Sequence, residues 1–145
     1  MKDLLGSWQM WALLSAMFAA LTAILAKIGI EGVNSDFATF IRTIVILVAA
    51  AGMVFATGHW QSPATVSAKT WTFLVLSGLA TGASWICYFR ALKIGNAAQV
   101  APIDKLSVVL VAVFAVLFLG EKLSLPNWLG VAFIGAGAVL VAYKG

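Results

Sequence analysis

The chain has 145 residues, of which 63% are hydrophobic and only 10% charged. Soluble domains carry about 25% charged residues, so this composition excludes a water-facing globule and places the chain in a lipid bilayer. The net charge of +4 is small and scattered, which leaves nucleic-acid binding without a basic patch.

A helix needs about 20 apolar residues, each rising ~1.5 Å, to cross about 30 Å of hydrocarbon. Five stretches meet or approach that length. In chain order they run from about Trp8 to Ile28, Asp36 to Thr57, Thr70 to Leu92, Ala98 to Leu119 and Pro126 to Tyr143. Residues 1–145 are therefore expected to form a single all-α integral membrane domain, with five transmembrane helices joined by short loops into an antiparallel bundle. The first apolar run lacks a charged leader and a small-residue cleavage site, so a span is expected there rather than a signal peptide. Local chemistry punctuates these spans. Asn34, Ser35 and Asp36 offer N-caps to the second, Thr57-Gly58 and Gly120 offer stops, and Leu125-Pro126 suits a first helical turn.

Residue types that carry reaction chemistry are scarce. Cys87, the sole cysteine, falls in an apolar run and is expected to be a packed thiol. His59 sits among loop residues with no partner for a metal. There is no glycine-rich phosphate loop and no Ser/His/Asp set, so no metal, no cofactor and no enzymatic activity is expected.

Let side B be the membrane side that holds the N-terminus and side A the other. Trp8, Trp11, Trp60, Trp71 and Trp128 then fall at side B helix ends, as an interfacial aromatic belt predicts. Trp85 lies 14 residues beyond Trp71, about 21 Å deeper along a helix. It is either a large packing residue or one wall of a binding cavity. Gly78 and Gly82 make a GxxxG on the third span. Gly130, Gly135 and Gly137 accompany Ala132 and Ala136 on the fifth. Such small-residue faces let helix backbones approach closely in lipid.

Several charges lie within lipid depth. Leu106 to Leu119 is only 14 residues, about 21 Å, too short to cross. The fourth span must then begin near Ala98 to Ala101, which embeds Asp104 and Lys105 and puts Pro102 in its first turn, where a missing N–H costs little. Starting the second span after Arg42 would likewise leave only the 15 residues from Thr43 to Thr57. A charge inside a span costs about 2.5–3.5 kcal/mol on insertion scales. Lys27, Lys93, Lys105 and Lys144 are expected to snorkel to headgroups. Arg42 lies deeper and Asp104 is too short to snorkel. For these two, a structural role and a polar network lining a vestibule both stand as readings.

With the embedded groups set aside, side A carries Lys27, Arg90, Lys93 and Lys144 and side B carries Lys2, Lys69 and Lys122. Loop lysines and arginines set orientation. So even a balance permits insertion both ways, a dual topology.

The run from Ser84 to Lys144, "SWICYFRALKIGNAAQVAPIDKLSVVLVAVFAVLFLGEKLSLPNWLGVAFIGAGAVLVAYK", resembles the EamA-like branch of the drug/metabolite transporter superfamily. Its matching features are Ala91-Leu92-Lys93-x-Gly95, the helix end Phe118-Leu119-Gly120-Glu121-Lys122-Leu123-Ser124, and Trp128-x-Gly130. "ALLSAMFAALTAILAKIGIEGV" and "FATFIRTIVILVAA" look like that family's first two helices. The resemblance implies one repeat of a ten-helix inverted-repeat transporter fold, in the inner membrane of a bacterial or archaeal cell. It also implies a substrate path near Arg42, Trp85, Tyr88 and Asp104, with Glu121 as a coupling or structural carboxylate. A single five-helix repeat could rebuild the inverted pair as an antiparallel homodimer.

Two functions compete. The first is a secondary transporter that moves a small metabolite or drug-like solute by alternating access as an antiparallel homodimer. The second is a non-transporting scaffold or accessory subunit that packs its small-residue faces against another membrane protein.

Overall fold

The chain's computed structural model describes residues 7–143. Lys2, Asp3 and Lys144 lie outside the described residues. The described elements are α1 (Trp8–Gly29), α2 (Ser35–Ala56), a 3-10 turn at Pro63–Thr65, α3 (Ala68–Ile94), α4 (Ala97–Asp104), α5 (Ser107–Phe118) and α6 (Leu125–Ala142). No strand occurs among the described residues. Five segments are long and apolar enough to cross a membrane: α1, α2, α3, α4 together with α5 (Ala97–Phe118), and α6. Large apolar side chains stand outward on these helices, as a lipid-facing surface requires: Leu47 is 68% exposed and Phe133 74%.

Helix ends follow local chemistry. The Asn34 side-chain oxygen accepts from the N–H groups of Asp36 at 2.8 Å and Phe37 at 3.3 Å, which caps α2. At its other end Gly58 takes φ 69°. That turn lets the Gly58 N–H reach the Phe55 carbonyl at 3.2 Å and the His59 N–H reach that of Val54 at 3.1 Å, a Schellman closure. Gly120, at φ 68°, performs the same service for α5, where the Glu121 N–H turns back to the Ala115 carbonyl at 3.2 Å.

The fourth span departs from expectation. It begins at Ala97, so Pro102 falls inside α4 rather than in a first turn, and the α-helix stops at Asp104 before resuming at Ser107. Proline has no N–H to offer the Ala98 carbonyl, and its ring crowds that carbonyl. The junction tightens into three-residue turns: Leu106 N–H to Ile103 O, Val108 N–H to Lys105 O and Val109 N–H to Leu106 O, each 3.0 Å.

The chain divides into two compact units, residues 28–93 and residues 7–27 with 94–143. In the second, α6 packs against both α4 and α5. Ala115 and Ala138 are buried there, and a Cβ built on Gly135 would lie 3.3 Å from Val109 Cγ2. In the first, Trp85, Tyr88, Phe89 and Leu92 recur at helical spacing and turn inward, Phe89 and Leu92 being buried. Cys87 lies on the opposite side of α3 and is exposed, not packed. Its position, two residues from both Trp85 and Phe89, turns it away from that face.

Candidate functional site

A polar stripe runs along α2. Asp36, Thr39, Arg42 and Thr43 share one helical face in an otherwise apolar span. Two of them cap carbonyls of their own helix: the Thr39 hydroxyl donates to Ser35 O at 2.9 Å and that of Thr43 to Thr39 O at 2.8 Å. Arg42 is half-buried, and its guanidinium carbon lies 4.5 Å from the centre of the Trp85 ring and 5.4 Å from that of Phe89. Trp85 and Phe89 are four residues apart on α3, so one turn of that helix presents both rings to one cation. Tyr88 sits beside them, its ring edge-on to Phe89 at 6.4 Å.

Nearer the ends of the same two helices, Arg90 grips Asp36. Its Nε and terminal nitrogen donate to the two carboxylate oxygens at 2.9 and 2.7 Å. Both members are well exposed and lie about two helix turns from Arg42 along α2. The Asp36 carboxylate is thereby committed to Arg90. The backbones of α2 and α3 approach each other less closely than those of α5 and α6, so the Arg42–Trp85–Phe89 cluster and the Asp36–Arg90 pair bridge that wider separation.

Of the residues expected to line a path, Arg42 and Trp85 are brought into contact, and Tyr88 shares the inward face of α3. Asp104 belongs to the other unit, where it is half-buried with its carboxylate 3.3 Å from the ammonium of Lys105. Glu121 is exposed in that unit, and its backbone, not its side chain, closes α5. A Cβ on Gly78, Gly82, Gly130 or Gly137 would meet nothing within 4 Å.

Lys27 and Lys93 do not simply reach for headgroups. The Lys27 ammonium donates to Gly95 O at 2.9 Å, and that of Lys93 to Ile30 O at 2.7 Å and Val33 O at 2.9 Å. Carbonyls at helix ends and turns lack intrahelical partners and carry the negative end of the helix dipole, which attracts an ammonium group. Sequence reasoning missed these ties, the Asp36–Arg90 pair and Thr39. The spacing of Asp36, Thr39, Arg42 and Thr43 was the available sign. Among the described residues no three of His, Cys, Asp and Glu converge as metal ligands; what the cluster presents is one guanidinium beside two aromatic rings.

Residues 6–143 match the EamA-like transporter family. The chain belongs to that family. The uncharacterized transporter in the cobO 3' region of Sinorhizobium sp is 69% identical over 136 residues, covering 94% of this chain and 96% of its own. The uncharacterized transporter YxxF of Bacillus subtilis (strain 168) is 28% identical over 148 residues, covering 99% of this chain and 45% of its own. This EamA-like chain thus spans just under half the length of the Bacillus relative. No solved structure matches it. Family, relatives and five apolar spans together make it a multi-pass integral membrane protein with bacterial relatives and, in the broad sense, a transporter.

Proposed function

We propose that the protein is a secondary transporter that carries a small metabolite or drug-like solute by alternating access along a path including Arg42, Trp85 and Tyr88. The observation that carries this reading is the half-buried Arg42 held against Trp85 inside a membrane span. A guanidinium at that depth normally faces a bundle interior or a wet cavity. Asp104, half-buried beside Lys105, and Glu121, exposed past the α5 end, are the proposed coupling carboxylates, with a structural role the alternative for Glu121. Purified protein in liposomes is expected to show solute flux that Arg42→Ala abolishes while insertion is preserved. Flux unchanged in Arg42→Ala removes that residue from the path, and flux unchanged in Asp104→Asn removes the coupling role of Asp104.

The working unit in this proposal is an antiparallel homodimer of single five-helix repeats. Support comes from the Bacillus relative, whose length leaves room for a second such repeat, from the inverted-repeat logic of carriers, and from the near-even lysine and arginine balance. Reporter tags at both termini should show both orientations in one membrane. A single orientation overturns the dual topology.

A second reading, a scaffold for another membrane protein, draws support from Gly78 and Gly82, which face open space on α3. Recovery of a stoichiometric larger partner, with no flux by the protein alone, would favour it.

A further inference from the structure

We infer that Arg42 anchors an oxyanion subsite, so that the solute carried is one bearing a carboxylate or phosphate group. This rests on the reading of Arg42 as part of the solute path and names the chemistry of what it meets there. Of the two arginines in residues 28–93, the outer one, Arg90, has its donors committed to Asp36 at 2.7 and 2.9 Å. The inner one, Arg42, meets rings at 4.5 and 5.4 Å and no carboxylate among the described residues.

A ring quadrupole stabilises the cation without accepting its N–H groups in the way a carboxylate does. The guanidinium therefore keeps its donor fork, which matches the two oxygens of a carboxylate or phosphate. Thr39 does not take that place: its hydroxyl donates to Ser35 O at 2.9 Å, and a single neutral oxygen does not match the two-pronged fork as a carboxylate or phosphate does. The nearest acid on the same helix, Asp36, is six residues away, about 9 Å along the axis, and is held by Arg90. The site carries a net positive charge in a low-dielectric setting, flanked by aromatic surface, which selects against cations and for an anion with room for an apolar body.

The oxyanion can come from a soluble solute or from an anionic phospholipid headgroup, and the test separates them. Protein in phosphatidylcholine nanodiscs is titrated with benzoate, with inorganic phosphate and, as a cation control, with tetramethylammonium, following the unfolding midpoint. The expected result is a saturable rise with at least one anion and none with the cation. That rise should vanish in Arg42→Ala and weaken about tenfold in Arg42→Lys, which keeps the charge but loses the fork. A parallel arm uses phosphatidylglycerol nanodiscs and native mass spectrometry. Arg42-dependent retention of that lipid, with loss of the benzoate and phosphate responses, assigns the subsite to the headgroup. Arg42→Lys guards against a folding failure in the alanine variant.

An anion response that persists in Arg42→Ala overturns the inference, as does the absence of any response to benzoate, phosphate or phosphatidylglycerol in the unaltered protein. Liposome flux is read separately. Arg42-dependent anion binding without flux of any solute leaves the subsite standing and removes the transporter reading. Flux of cationic or neutral solutes that survives Arg42→Ala does the reverse.

Discussion

Arg90 and Asp36 form a two-pronged ion pair that ties the last turns of α3 to the first turn of α2, with bonds of 2.9 and 2.7 Å. Both groups are exposed, so their attraction is open to screening by salt. Arg90→Ala and Asp36→Ala should each lower the unfolding midpoint in detergent, and less so in 0.5 M salt than at about 0.05 M. The charge-swapped double variant, Asp36→Arg with Arg90→Asp, should recover most of the loss suffered by either alanine variant. Additive losses in the double variant would deny the two residues any coupling.

Much of this fold was legible because helix ends are decided locally. Asn34 caps α2 through its own side chain, and Gly58 and Gly120 adopt the left-handed backbone that stops a helix. That Arg42 and Trp85 fall within span-length helices also followed from counting residues against bilayer thickness. What could not be read was pairing across distance. Nothing local says that Arg42 meets Trp85, 43 positions on, or that Lys93 seeks the carbonyls of Ile30 and Val33 rather than headgroups. The Asp36–Arg90 pair was within reach, since one residue lies in the first turn of its span and the other about a turn from the end of the next, on the same side. The break after Asp104 was hidden for a different reason. Apolar sequence does not mark where a helix begins, and a start at Ala97 moves Pro102 from a tolerated position to a disruptive one.

Lys93 pins the turn between α1 and α2 by bonding two of its carbonyls at once, Ile30 O and Val33 O. Replacing it with methionine keeps the apolar stem and removes both bonds. The expected cost is about 1–2 kcal/mol, since each charge-assisted bond at a partly wet site contributes modestly. Amide exchange at residues 31–34 should accelerate selectively in Lys93→Met, while the middle of α2 stays protected. Uniform acceleration along α2 would mean that the lysine supports the fold at large rather than this turn.

The glycines make opposite forecasts. A Cβ at position 135 would press on Val109 Cγ2 at 3.3 Å, so Gly135→Ala should force a small shift between α5 and α6, and Gly135→Leu should destabilise by about 2 kcal/mol or more through overpacking. Gly78 and Gly82 have open space around the same position. Gly78→Ala and Gly82→Ala should therefore leave the chain intact and raise helix propensity by up to ~1 kcal/mol each. If a second chain docks on that face, leucine at both positions should shift the sedimentation profile toward monomer without lowering the unfolding midpoint of the monomer.

Pro102 gives the clearest separation of stability from working motion. Its missing N–H and the three-residue turns that follow, through Leu106, Val108 and Val109, leave the fourth span in two rods, α4 and α5. Both rods pack on α6, so a change at the junction alters how one rod pivots while the other stays seated. Pro102→Ala restores an N–H for the Ala98 carbonyl and removes the ring clash, a change that favours a continuous helix by as much as ~3 kcal/mol in an ordinary interior and less where the backbone has already adapted. Amide exchange between residues 102 and 108 should slow, and the unfolding midpoint should rise. Should the junction serve as a hinge during alternating access, flux in liposomes should fall several-fold in that same, more stable protein, because a stiffened span resists the second conformation. Faster exchange in the variant would show that the break is imposed by the α6 contacts rather than by the proline. Unchanged flux alongside slower exchange would place the junction outside the transport cycle.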